Sequence, residues 1–564
     1  MSPFDAITLE LMWSRLISIA QEQARALVQA SFSTLVGETE DIASGIYDAQ
    51  GNIIAQGVTG TQGILIGMGR GIKHILAQFP PERLRPGDVL ICNDPWLFTG
   101  HKFDITIAMP VFLGGRFVGM TGTVSHATDV GGIKSPGDSE EVYEEGLHIP
   151  ILKLYKAGKL NEDVHEMIRS NVRMETLVMG DLMAQVAACE VGQHKVQAFL
   201  REYELDSLEA LSTAIMERTE AAVKAAIRAF PDGSWSHTVL LDGMEEPLQV
   251  RARLTVQGEE MLVDFAGSSP QTTRGAINAV KNFTDAYTLH AIKTLLLSDV
   301  PNNEGFFRSV RIEAPAGTIV NASFPAPVMS RQMMTSFVSS AVFGCLTQAL
   351  PGRVIAESGI TQMGLINGHD AGGRPYVYWL LGFGGMGGRP GMDGHHATNF
   401  PANIGNVPVE IIEALTPVRV VRKGLIPDSG GAGKWRGGCD QEITVTVASP
   451  YPATINCFFE RTTVEPRGYH GGRNGRRAIA QINGREVHPK RKALLQPGDE
   501  LTYSSCGGGG LFPAEERDAE AVLRDVLEGY VSVEAARRDY KVALDLATLT
   551  VDAEETAKLR RDGM

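Results

Sequence analysis

Apolar side chains recur at helical spacing from residue 5 to residue 33, where Leu9, Trp13, Leu16, Ile17 and Ala20 share a face and no Gly or Pro interrupts. That spacing predicts one long amphipathic helix. From Asp41 the period falls to two. DIASGIYDAQGNIIAQG, residues 41–57, predicts a strand, a turn at Asp48 to Gly51 and a returning strand, with Asp41 at the open end. DITIAMPVFLGGRFVGMTGTVSH, residues 104–126, predicts a second hairpin turning at Gly114 and Gly115. Residues 161–230 return to helical spacing and stop at Pro231, Asp232 and Gly233. SHTVLLDG and VRARLTVQGEEMLVDFAG then predict strands, 330–350 a helix, and the tail from 514 helix again, around a Gly-rich middle, GFGGMGGRPGMDGHHATNF. No fixed period repeats, so solenoids and propellers are excluded. The class expected is α+β and multidomain, with a hairpin-rich N-terminal metal-binding region and a Gly-rich, β-rich C-terminal half. A chain of 564 residues is too long for one core. We divide it at 1–200, 201–325, 326–512 and 513–564.

Composition narrows the function. A formal charge of −14 without a basic run argues against a nucleic-acid partner. The six cysteines, at 92, 189, 345, 439, 457 and 506, form no C-x-x-C pair, which excludes a zinc knuckle and argues against a disulfide framework. The N-terminal MSPFDAITLELMWSRL has no basic stretch leading an apolar one, and no apolar run reaches membrane-spanning length. The expectation is a cytoplasmic protein without a membrane partner.

The candidate chemistry sits at the mouth of the second hairpin. A three-residue loop, Gly114 to Arg116, would place Asp104 directly opposite His126, and a two-residue loop would shift the pair by one register. In NDPWLFTGHKFDI, residues 93–105, His101 stands three positions before Asp104. Three N/O donors, His101, Asp104 and His126, can thus converge as catalytic and metal-binding residues, with Asp41 as a candidate fourth ligand. Such a set suits Zn²⁺, Mn²⁺ or Fe²⁺ and keeps an exchangeable position at which water is acidified. Asp129, in SHATDVGG, is placed to orient His126 from behind. The plainer reading, a hydrogen-bonded strand cap beside a satisfied core histidine, stays open.

No G-x-x-x-x-G-K-[ST] loop occurs, and GGAGKWRGG at 430–438 lacks the strand and helix of a nucleotide site, so ATP chemistry belongs elsewhere. The glycines at 382–394 and 507–510 read as tight turns rather than phosphate loops. Asp393, His395 and His396 read as loop residues, and Cys506 as a buried structural thiol.

ETEDIASGIYDAQGNIIAQG, GDVLICNDPWLFTGHKFDITIAMPVF, SHATDVGG, EEVYEEGLHIPILKLYKAGKLNEDV, NEGFFRSVRIEAPAGTIVN, LIPDSGGAGKWRGG and PGDELTYSSCGGGGLF, in that order, resemble the B subunits of the hydantoinase/oxoprolinase family. That family includes ATP-dependent hydantoinases, oxoprolinase and caprolactamase, and is related to acetophenone and acetone carboxylases. The resemblance implies a divalent metal, Zn or Mn and as a third choice Fe, at Asp41, His101, Asp104 and His126. It also implies ATP with Mg on a separate hydantoinase A-like subunit, and a hydantoin, 5-oxoproline or lactam as substrate. Two rivals remain: a subunit of a ketone carboxylase that uses bicarbonate, and a non-catalytic scaffold for the A-like partner. FTGHKFD, where members often carry GGTH, and a single His126 followed by Ala127 are departures that bear on substrate-facing positions.

Overall fold

The computed structural model describes residues 3–562. The fold is α+β and multidomain, as the patterning predicts, built from several separate sheets. The first helix, α1, spans Ala6–Ala30 and begins at Asp5, whose carboxylate accepts from the Ile7 and Thr8 amides. A seven-stranded sheet follows, from β1 (Ile42–Asp48), β2 (Ile53–Gln56), β3 (Val89–Cys92), β4 (Asp104–Leu113), β5 (Arg116–His126), β6 (Leu152–Lys156) and β7 (Lys159–Leu160), in the order β2-β1-β5-β4-β3-β6-β7. Both predicted hairpins are present, and they lie side by side because β1 pairs with β5.

The β4–β5 register shows how the site is aligned. The turn is the two-residue Gly114-Gly115 type, with φ of 57° and 84°, values that favour glycine. By itself it would leave Asp104 one position away from His126. A bulge beyond Val111, where Val111 pairs with Gly119 while Phe112 pairs with Phe117, inserts Val118 and restores Asp104 opposite His126.

Short β3 pairs with only Thr106, Ile107 and Ala108 of β4. Outside that span the helix Glu175–Glu202 supplies hydrogen bonds: Gln185, Gln193 and Gln197 side chains donate to the carbonyls of Ile105, Pro110 and Phe112. The opposite face is covered by the helix Gln62–Gln78, which the sequence patterning does not predict. Its Gly63 and Gly71 lie where a Cβ would fall on the rings of Tyr287 and Phe98, so helix-poor glycine is retained for close approach. The helical stretch 161–230 is three helices, broken at 172–174 and 203–208 where the apolar periodicity lapses.

Downstream, the helix Met334–Ala349 is buried on nearly all sides between the sheet of Gly233–Leu241 and Leu248–Gln257 and the helix Lys281–Leu296. Its leading turn, Arg331–Met333, reaches the open end of the N-terminal sheet. The tail is not wholly helical: Ala543–Asp545 and Thr550–Asp552 pair as strands between its helices. No helix among the described residues is long and apolar enough to cross a membrane.

Of the glycine-rich segments, 382–394 holds one tight turn, at Arg389 to Met392 with Gly391 at φ 82°, but most of their glycines serve another purpose. Residues 385–388, 430–438, 468–475 and 507–510 run alongside one another, and the amides of Gly438, Gly508, Gly431 and Gly388 donate to the carbonyls of Met386, Gly438, Gly508 and Gly509. A Cβ on Gly385, Gly437 or Gly507 would fall on the carbonyl oxygen of Gly438, Gly508 or Ser429. Side chains are excluded here because backbones fill the space.

Candidate metal centre

The loop that carries His101 is fixed by its own polar residues. Asp94 accepts from the Trp96 and Leu97 amides, closing an Asx turn. Asn93 donates to the carbonyls of Lys102 and Leu147 and accepts from the Ile149 amide, and Gly100 takes φ 100°. His101 thereby lies beside the first residue of β4. On the other side, the His126 amide donates to the Asp41 carbonyl, which continues the β1–β5 pairing and brings Asp41 in.

Single ligand atoms of His101, Asp104 and His126 all lie within 4.8 Å of one another, and all three residues are buried. His101 Nε2 is 3.0 Å from Asp104 Oδ1, and His126 Nδ1 is 3.5 Å from the same oxygen. Asp41 Oδ2 is 3.4 Å from His126 Nδ1, and Asp41 Oδ1 accepts from Thr61 Oγ1 at 2.9 Å. Asp41 thus touches His126 but is not part of the mutual cluster of three.

Neither His101 Nε2 nor Asp104 Oδ1 makes a hydrogen bond, although both are buried. A nitrogen lone pair and a carboxylate oxygen facing one another lack an electron-poor centre between them, and N/O donors in this arrangement fit a divalent ion. The other nitrogen of His101, Nδ1, meets the Met329 carbonyl at 3.3 Å, which favours the tautomer that leaves Nε2 free. His126 stacks on Phe103 at 5.3 Å, and Trp379 closes the apolar surround with its edge.

Electrostatics keep His101 and Asp104 in forms able to coordinate a cation. Burial, and then the Arg331 guanidinium, push His101 down to about 4, so its imidazole is neutral near pH 7. Burial opposes the charge on Asp104, but the Arg331 guanidinium bonded to its Oδ2 works against that, and this carboxyl is held well below its usual range. Burial raises Asp41, with His126 working against it.

Residues that spacing does not reveal complete the site. Arg331, buried and stacked over Phe283, donates to Asp104 Oδ2. Glu145 Oε1 accepts from the Val328 and Met329 amides at 2.7 and 2.8 Å and from Ser139 Oγ, anchoring the segment that presents the Met329 carbonyl and Arg331. A lone arginine within VMSRQMMTS is the available signal, since a buried cation demands a partner.

Asp129 does not orient His126. Its carboxylate is taken by the Arg173 amide and guanidinium and by the Gly131 amide. The other candidates fall away from the site. Asp393 pairs with Arg517, His396 stacks on Tyr530 at 4.0 Å, and Arg436 is buried against Asp525. Cys506 is buried and its thiol pushed up to about 11 by burial, which leaves it protonated and unreactive.

With this geometry established, similarity to known proteins becomes informative. Residues 5–513 match the family model described as hydantoinase B/oxoprolinase. The B chain of a putative D-/L-hydantoinase from Pseudomonas sp. (strain NS671) is 29% identical, over 99% of this chain and 98% of its own. The beta chain of caprolactamase from Pseudomonas jessenii is 31% identical, over 97% of each chain. The crystal structure of the ATP-dependent caprolactamase from that organism superposes with a TM-score of 0.85 at 27% identity, covering 99% of this chain and 100% of the other.

Proposed function

This chain belongs to the hydantoinase B/oxoprolinase family, and from that premise we propose that it is the metal-containing B subunit of an ATP-dependent cyclic amide hydrolase. The observation that carries the reading is the pair of buried, unpartnered donors, His101 Nε2 and Asp104 Oδ1, aimed at one point beside His126. Asp41, His101, Asp104 and His126 would hold Zn²⁺ or Mn²⁺, with Fe²⁺ also compatible with the donor set. When bound, the ion supplies a Lewis acid that acidifies water and polarises an oxygen.

The chain's own residues prepare that chemistry. The Met329 carbonyl orients His101, Arg331 keeps Asp104 ionised, and Phe103 and Trp379 shield the ligands from bulk water. Relatives named as the B or beta member of a multi-subunit enzyme imply a partner, and without a phosphate-binding loop here, ATP with Mg is assigned to an A-like subunit. On that partner the amide oxygen takes the γ-phosphoryl group and ADP leaves. Water then adds to the amide carbon, the C–N bond breaks, and the nitrogen takes a proton, becoming an amine when a lactam opens and a ureido NH2 when a hydantoin opens. The remaining acyl phosphate takes a second water to give a carboxylate and inorganic phosphate.

The test is turnover of hydantoin, 5-oxoproline and ε-caprolactam by the two-subunit complex with ATP, read as ring-opened product and ADP. Label from bicarbonate appearing in a ketone-derived acid would make the chain part of a carboxylase instead. Full turnover after replacing His101 and Asp104 by Ala would make it a scaffold.

A further inference from the structure

The cavity against Asp41, Asp104 and His126 has a volume of about 50 Å³, and a second cavity of about 460 Å³ adjoins it, with Asn399 and Ile404 lining both. The smaller one has room for only a few waters. Only the larger lies in the range of several hundred Å³ that accommodates small-molecule ligands. Past Asn399 and Ile404, the larger space is the volume next to the metal residues that could take a substituent of a ring whose amide carbon sits there.

The character of that space selects what can enter. Phe383, Met386 and Phe400 give it apolar walls, and its lining contains no Asp, Glu, Lys or Arg among the described residues. Of its two histidines, His290 is partly buried, pushed down to about 4 by desolvation and by Lys293, and therefore uncharged near pH 7; its Nδ1 has no hydrogen-bond partner. His395 is exposed at the rim, where Arg389 is held by the Met392 sulfur, the Asp393 carbonyl and His395 itself. Lys293 lines a separate cavity that shares only His290 with this one.

We propose that the larger cavity is the subsite for the ring substituent, and that the chain acts on cyclic amides bearing a neutral alkyl or aryl group in preference to ring carboxylates such as 5-oxoproline. The inference rests on the cyclic amide hydrolase reading above. A carboxylate entering this cavity loses its hydration and meets asparagine amides but no cation. An aryl group gains by leaving water and stacks against Phe383 and Phe400.

Two measurements test it. With the complex, ATP and bound metal, kcat/KM for 5-benzylhydantoin should exceed that for 5-oxoproline at least 100-fold, and Met386→Lys should move the ratio at least tenfold toward 5-oxoproline. Titration calorimetry of the full chain with each compound gives a readout independent of turnover: 5-benzylhydantoin should bind, 5-oxoproline should not, and Met386→Lys should weaken the first at least tenfold. Equal or reversed preference, or a ratio unmoved by Met386→Lys, overturns the subsite. Selective binding without opening of any ring would retain the subsite and remove the hydrolase reading instead.

Discussion

The candidate metal centre and the glycine stack join distant segments by opposite means. At the candidate centre, strand register sets Asp104 opposite His126 and a hydrogen-bonded loop brings His101 beside them, so that donor atoms of these three converge, with Asp41 touching His126. In the stack, segments from 385 to 510 are joined by backbone amides and carbonyls, and the contribution of each residue is to have no side chain. The first region is stabilised by a sheet that forms regardless of the four polar residues, so altering one of them should remove chemistry and leave the fold. The second has no slack, so a single methyl group should damage the fold without touching the chemistry.

Four changes, one of them with a control substitution, and one pH profile, in decreasing order of effect, would sharpen or break that contrast. Asp104→Asn, which keeps an acceptor for the buried Arg331, should lower kcat by at least ~10³, a barrier increase of about 4 kcal/mol, while circular dichroism and assembly with the partner stay as in the parent. Gly507→Ala, whose Cβ would fall on the Ser429 carbonyl oxygen, should destabilise by more than about 3 kcal/mol in urea unfolding. As its control, Gly424→Ala, with open space around it, should stay within about 0.5 kcal/mol. Equal effects of the two glycine changes would break the contrast.

Glu145 lies between the extremes, because it acts on His101 only through the 328–331 segment. Glu145→Gln should weaken metal affinity roughly 10- to 100-fold in competition with a chelating dye, with secondary structure retained.

The pH profile follows from His290, which titrates near 4 when folded against about 6.5 when free. Between these values the unfolded chain binds the additional proton, so His290 contributes stability above pH 6.5 that is lost as pH falls toward 4, by up to ~1.4 kcal/mol per pH unit. His290→Phe should flatten the acid side of the stability profile by about that slope. The smallest effect belongs to Asp129→Asn, whose Arg173 partner is partly exposed: under ~1 kcal/mol, with metal affinity unchanged. A marked loss of metal affinity in this variant would show that Asp129 does support the centre.

Legibility in the sequence divides along the same line. Strand alternation and turn glycines expose both hairpins, and with them that Asp104 and His126 share one open end, because period-two patterning and turn chemistry are local signals; their direct facing depends on the register. The bulge at Val118 is not legible, since a bulge is a choice between registers made by the packed sheet. Arg331 and Glu145 escape notice because they reach the centre from over 200 and about 40 positions away along the chain, through contacts no spacing rule encodes. Asp129 misleads because the spacing His126-x-x-Asp129 suggests contact, whereas the chain turns the carboxylate to Arg173. Glycine abundance is visible, but whether a glycine serves a positive φ or a close approach depends on what lies opposite. At 385, 437 and 507 it is another backbone.

The most direct test is the metal content of the purified full chain. After incubation with excess Zn²⁺ or Mn²⁺ and dialysis, elemental analysis should find one tightly held divalent ion per chain, absent from the His101→Ala, Asp104→Ala double variant whose melting profile remains cooperative. A parent chain that retains no ion at saturating metal, or a double variant that retains it in full, would contradict the account.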